Sequence, residues 1–151
     1  MAAANTNPIF SRVSSITASA LIITAASVVY DISGTIGTDI YLAHTTDATN
    51  GSFIQRVRFK YVANGTTTSV GTVMRVWISS VATGTPTTSN ASFWDEIALP
   101  ATGTLTTTTV SPVYDMAFGI ALPPSYSILC KTTVSQSAST GWQATVIAGA
   151  Y

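Results

Sequence analysis

Between residues 53 and 62 the chain sets Phe53, Val57, Phe59 and Tyr61 against Arg56, Arg58 and Lys60. This is the period of a β-strand, whose successive side chains point to opposite faces of a sheet. Only Ile54 and Gln55 break the pattern. The same period returns over residues 70–79, where Val70, Met74, Val76 and Ile78 oppose Val73, Arg75 and Trp77. Strands patterned in this way must lie in a sheet with one face against a core. Helical periodicity is nearly absent elsewhere, so nothing is available to build the crossovers that parallel strands need, and the pairing is expected to be antiparallel.

Apolar, β-rich runs also occupy residues 19–30, 39–43, 93–99, 114–122, 127–134 and 142–148. Turn clusters separate them: Ser33-Gly34-Thr35-Ile36-Gly37, Asn64-Gly65, the Thr/Gly/Pro/Ser stretch 81–90, Pro100, Pro123-Pro124 and the polar run 135–141. Residues 101–111 are Thr-rich and read as an extended edge or a loop. About eight short strands at this spacing predict an antiparallel β-sandwich of jelly-roll-like form. Asn64-Gly65 is expected to join residues 53–62 and 70–79 as a hairpin, since both residues tolerate positive φ. Residues 8–16 carry Phe10, Val13 and Ile16 at three-residue spacing but few helix formers. They are read as part of an extended N-terminal arm over residues 1–18, ahead of a single domain at 19–151.

Charge adds a second constraint. Twelve of the 151 residues are acidic or basic, six of each, and the formal net charge is zero. A monomer of this mass exposes roughly 7,000 Å², which leaves about one charge per 600 Å². Soluble surfaces are charged at about a quarter to a third of positions. The exterior is therefore expected to be dressed in Ser, Thr, Asn and Gly and in part buried against other molecules. Zero net charge excludes bulk nucleic-acid binding, which needs a basic surplus. The apolar run at 18–30 is interrupted by Thr24 and Ser27 and is too short to span a bilayer, and only Arg12 supplies a basic flank, so neither a membrane span nor a leader is expected. The Asn-x-Ser/Thr triplets at Asn50, Asn64 and Asn90 read as turns.

No chemistry converges. His44 and Cys130 are the single histidine and the single cysteine, which excludes zinc sites built from those ligands. Cys130 lies in an apolar run and is expected to be a buried, inert thiol. Asp31, Asp39 and Asp47 stand among Gly and Thr but match no calcium-loop spacing. His44 sits among Thr and Asp and is expected to be a solvated loop residue. No Gly-x-Ser-x-Gly pentapeptide occurs. Asp95 and Glu96 are adjacent, so a strand would point them to opposite faces, away from any shared glycosidic bond. Gly34 and Gly37 precede a strand and are followed by no phosphate-binding lysine. The expectation is a protein that is not an enzyme, with no cofactor and no metal.

What remains is contact chemistry. Arg56, Arg58 and Lys60 form the one basic stripe, with Arg75 expected beside it across the hairpin. The stripe reads either as a contact for an anionic partner or as an exposed face whose charges block edge pairing. Among the aromatics, Trp94 is the leading interface candidate: it follows Phe93 on a strand, so one of the two must leave the inner face. Tyr126, the terminal Tyr151, and Pro8 and Phe10 of the arm complete the candidates.

From about Ile40 to Tyr151 the chain resembles a group of small all-β structural proteins of tailed bacteriophages. The resemblance rests on Asn50-Gly51-Ser52-Phe53-Ile54 leading to Arg56-Val57-Arg58, and on Val73-Met74-Arg75-Val76-Trp77-Ile78. It continues in Phe93-Trp94-Asp95-Glu96-Ile97-Ala98-Leu99-Pro100, in Leu122-Pro123-Pro124-Ser125-Tyr126, and in Gly141-Trp142 before an Ala/Gly-rich tail that closes on an aromatic. These are turn and packing signatures, so the resemblance implies a place, the virion, and no catalytic residue. It implies a capsid decoration or cement protein, made in the host cytoplasm. Such a protein would contact its own copies, a trimer by analogy, and the major capsid protein. The alternative is a tail or fibre component that binds a host receptor or glycan. An aromatic in a polar groove would favour the alternative; aromatics along a flat subunit contact would favour the first.

Overall fold

The computed structural model describes residues 13–22, 32–63, 68–106, 108–137 and 140–151. They form eight strands: β1 (Val13–Ala18), β2 (Tyr41–Thr45), β3 (Ser52–Val62), β4 (Thr72–Ser79), β5 (Ala91–Leu99), β6 (Val113–Leu122), β7 (Ser127–Thr132) and β8 (Gly141–Ala150). No helix occurs among the described residues. The strands make two four-stranded sheets, ordered β1-β8-β3-β6 and β2-β7-β4-β5. Every pair is antiparallel, as the lack of crossover helices requires.

The pairing is nested. β1 pairs with β8, β2 with β7, β3 with β6 and β4 with β5. A single long hairpin bent at the β4–β5 turn would make the same four pairs. Two further pairs, β3 with β8 and β4 with β7, join these ribbons into sheets. This order overturns the expected β3–β4 hairpin. The two strands lie in different sheets, so they form no hairpin and Arg75 is not beside the basic stripe; Asn64-Gly65 itself lies outside the described residues. Local turn chemistry loses here to the cross-sheet partition of the apolar faces.

One main core draws on both sheets. Ile54, Val57, Phe59, Tyr61, Met116, Phe118, Leu122, Trp142, Ala144 and Val146 come from the first sheet, and Tyr41, Ala43, Met74, Val76, Leu99, Ile128 and Cys130 from the second. The expected face of β3 is corrected at one residue. A bulge between Ile54 and Arg56 leaves Gln55 without a partner on β8, so parity switches across it. Ile54 turns inward and is fully buried, while Phe53 turns outward and is 37% exposed. Opposite, Gly119 of β6 takes a φ of 64°, a conformation that suits glycine at a bulge. At the start of β3, Gly51 (φ 79°) lies so close to the Leu122 carbonyl that a Cβ would collide with it.

The N-terminal boundary also differs from expectation. Val13–Ala18 is paired along its length with β8, so the sheet takes in residues expected in the arm. Ile22 then bridges Trp142 and is fully buried. The remainder of the expected first strand, at 23–30, lies outside the described residues, as do Pro8 and Phe10. The Thr-rich residues 101–106 and 108–111 form no strand.

Candidate interaction surfaces

Each sheet has an outer face, and the two are treated differently. On the second sheet, Val76 and Cys130 point to the main core, so their neighbours Trp77 and Leu129 point outward. Both are nonetheless buried, because Ile32 and Ile40 cover them and form a second small cluster. The covering strap is tied down by the Ile36 amide, which donates to the Gly84 carbonyl at 2.9 Å. The Lys131 ammonium, on the same face, donates to the Ser33 carbonyl. Within the strap, the Thr35 amide donates to the Asp39 carboxylate at 3.2 Å.

On the first sheet no described segment covers the outer face. Register lines its residues up in rows: Ser14, Gly149, Phe53 and Ala121; Ile16, Ile147, Arg56 and Ala117; Ala18, Thr145, Arg58 and Asp115; and Gln143, Lys60 and Val113. Ile16 is 69% exposed and Val113 47%. Arg58 meets Asp115 through two hydrogen bonds of 2.8 and 2.9 Å, and Arg56 approaches the same carboxylate at 3.7 Å. The Arg58 guanidinium holds the Asp115 carboxyl below its ordinary value, and the Asp115 carboxylate raises Arg58 in return. The predicted stripe of Arg56, Arg58 and Lys60 is therefore one face, with its two arginines sharing one carboxylate, Asp115. Arg75 lies on the other sheet, buried, with its Nε 3.1 Å from Glu96.

Trp94 and Phe93 do part company, as adjacent strand residues should. Phe93 meets Trp77 edge-on at 5.6 Å, on the outer side of the second sheet. Trp94 stacks on Phe118 of β6 at 5.0 Å and 20°. That contact crosses from one sheet to the other, between edge strands β5 and β6, while leaving the indole 37% exposed. Tyr126 and Tyr151 are half-buried. The Tyr151 amide points to the Gly51 carbonyl at 3.5 Å. Trp142, the third tryptophan, is core, ringed by Tyr61 and Tyr114.

His44 corrects another expectation. It is on β2, 3% exposed, and not in a solvated loop. Thr17 of β1 donates its hydroxyl to the Ala43 carbonyl at 2.9 Å and lies 2.9 Å from His44 Nδ1. With its one proton given to Ala43, the threonine oxygen accepts from Nδ1–H, which makes Nε2 the unprotonated nitrogen. Nε2 is buried without a hydrogen-bond partner. Burial accordingly lowers the imidazole below its ordinary 6.5. Cys130 is fully buried and burial pushes its thiol up to about 12, far from a reactive thiolate at neutral pH. Asp47 caps a turn, accepting from the amides of Thr49 and Asn50 at 2.9 and 2.8 Å, and these bonds lower its carboxyl. No cluster of three His, Cys, Asp or Glu able to hold a metal occurs among the described residues.

A shallow cleft of about 240 Å³ opens at the end of the second sheet, lined by Ile78, Ser80, Thr88, Asn90, Ser92 and Tyr126 among others. Sequence reasoning named Tyr126 as an interface residue but had no means of placing it beside the 80–92 segment, because their approach depends on which strands pair. No helix among the described residues is long and apolar enough to cross a membrane. Compared with known proteins, the chain matches no family model, no curated protein and no solved structure.

Proposed function

We propose that the chain is a jelly-roll β-sandwich that serves as a non-enzymatic building block of a bacteriophage virion, as a capsid decoration or cement protein. The nested pairing of eight strands in two sheets supports the jelly-roll reading, an architecture that recurs in capsid proteins. The observation that carries the assembly role is the open outer face of the first sheet. Ile16, Ile147 and Phe53 lie there beside Ala117, Ala121 and Gly149, small residues that let another backbone come close. Four strands of 6 to 11 residues, spaced about 4.8 Å apart, give this face roughly 600 Å² in plan. A standard protein interface uses about 800 Å² per partner once side-chain relief is counted. The face is thus large enough for one contact with a second copy or with a shell protein. Many such contacts on a particle sum by avidity, so each can be weak.

Sedimentation of the purified chain tests the proposal. Self-association, with a trimer as the form expected by analogy, is the predicted result. Ile16→Asp should dissociate the oligomer while costing the subunit itself within about 0.5 kcal/mol, since that position is 69% exposed. A monomer at all concentrations that also fails to bind capsid shells would rule the role out. One observation favours the alternative, a tail or fibre component that binds a glycan: Tyr126 lies in a polar cleft.

A further inference from the structure

We infer that the cleft beside Tyr126 is a binding site for a single uncharged sugar ring. This goes beyond the assembly role and does not depend on it. The site is built from two pinned segments. Tyr126 follows the Pro123-Pro124-Ser125 turn, and Thr46 clamps it. The Thr46 amide donates to the Tyr126 carbonyl at 2.8 Å, and the Tyr126 amide donates to the Thr46 hydroxyl at 2.9 Å. That hydroxyl in turn donates to the Pro123 carbonyl at 2.6 Å. Across the cleft, the Asn90 carbonyl accepts from the Ser80 amide at 2.8 Å and from the Ser79 hydroxyl at 3.1 Å. The Asn90 side-chain oxygen accepts from the Thr87 amide at 2.7 Å, which turns its amide nitrogen away from that bond. Both walls are therefore held in place before any ligand arrives, which limits the ordering cost of binding.

The lining has the composition that a pyranose needs. A sugar ring has apolar C–H faces and a rim of hydroxyls, each able to donate and accept. Tyr126 and Ile78 supply apolar surface, and Tyr126 adds a phenol. Thr88, Ser92 and the Asn90 amide supply small donors and acceptors around it. Among the described residues, the Thr88 and Ser92 hydroxyls and the Tyr126 phenol make no hydrogen bond, so these groups are available to a ligand. None of the described residues that line the cleft is acidic or basic, which disfavours sialic acid, uronic acids and phosphate. The volume of about 240 Å³ falls below the roughly 300–1,000 Å³ of sites for drug-sized ligands, which restricts the occupant to one ring with the rest of a glycan outside.

The test is a two-dimensional amide NMR titration of the full chain. The probes are the methyl glycosides of glucose, galactose and mannose and free N-acetylglucosamine, each to about 50 mM, with glucuronate and sialic acid as charged counterparts. The expected result is a saturable shift from at least one neutral sugar, centred on residues 80, 88–92 and 126, with a dissociation constant on the order of millimolar. Tyr126→Leu keeps an apolar side chain but removes the ring, and should weaken binding about tenfold or more. Should that variant melt lower than the parent, Ser92→Gln fills the cleft from an exposed strand position and carries the same expectation. The inference is overturned by the lack of a saturable shift from every neutral sugar, by shifts centred elsewhere, or by tighter binding of a charged sugar. It is also overturned if binding survives both substitutions.

Discussion

The outer faces of the two sheets start from the same kind of strand and end differently. On the second sheet, Trp77 and Leu129 face away from the main core, yet residues 32–40 fold over them and the chain seals its own surface. On the first sheet, Ile16 and Phe53 face away from the core and stay exposed. A chain with six basic and six acidic residues has little charge to spread over either face. It solves the problem internally on one side, and on the other no described segment does so. The contrast teaches that a low charge count does not by itself locate an interface: a large outward side chain, Trp77, is already covered.

The contrast can be broken most strongly at Trp77. Trp77→Ala should cost about 3–5 kcal/mol, as for a buried tryptophan, read as a lower urea midpoint with the oligomeric state of the surviving folded fraction unchanged. A loss below about 1 kcal/mol would mean that the strap does not seal that face. Trp94→Ala should cost less, about 1–2 kcal/mol, because the indole is partly exposed and gives up mainly its stacking on Phe118. If Trp94 is an interface residue, association should fall further than this loss of stability explains. Unchanged association with a lower melting temperature would make Trp94 only a plug between β5 and β6.

Acid probes the seam where β1 of the first sheet meets β2 of the second. The folded state holds His44 below its ordinary 6.5, so on acidification the unfolded chain takes up the proton first. Stability from the neutral imidazole is complete above about pH 6.5 and is lost as pH falls from there through the lower folded value. Protonation would place a second N–H at Nε2, where no acceptor waits. The melting temperature should therefore drop between pH 7 and pH 5 in the parent and stay flat in His44→Gln. The carboxylates with lowered values, Asp47 and Asp115, titrate below this window and do not confuse it. The smallest effect is expected for Asp115→Asn on the open face. Its pair with Arg58 is about one-third exposed on each side and screened by water, so the melting temperature should barely change, and high salt should erase the difference.

Much of the strand inventory was legible because alternation is a local property. Residues 53–62, 93–99, 114–122 and 142–148 all fall within strands or match their bounds to within a few residues. Phe53 was misplaced for a reason the sequence half displayed: Ile54 and Gln55 interrupted the pattern, and the interruption is a bulge that reverses parity. His44 was misread because a histidine among Thr and Asp carries a turn signal, whereas the Thr17 hydroxyl that holds it lies in a strand many residues earlier. Arg75 was misread because Asn64-Gly65 is a strong local hairpin signal that says nothing of which sheet the next strand joins.

Composition and period, which are sums over neighbours along the chain, determined that this protein is built of antiparallel strands and that it carries little charge. Tertiary structure alone decided that the strands pair in nested fashion and that, among the described residues, one outer face is strapped and the other is not. It also decided that Tyr126 meets Ser92 and Asn90 across a cleft. Those outcomes depend on contacts between residues far apart in sequence, and such contacts are selected by the burial of whole faces, which no local window contains.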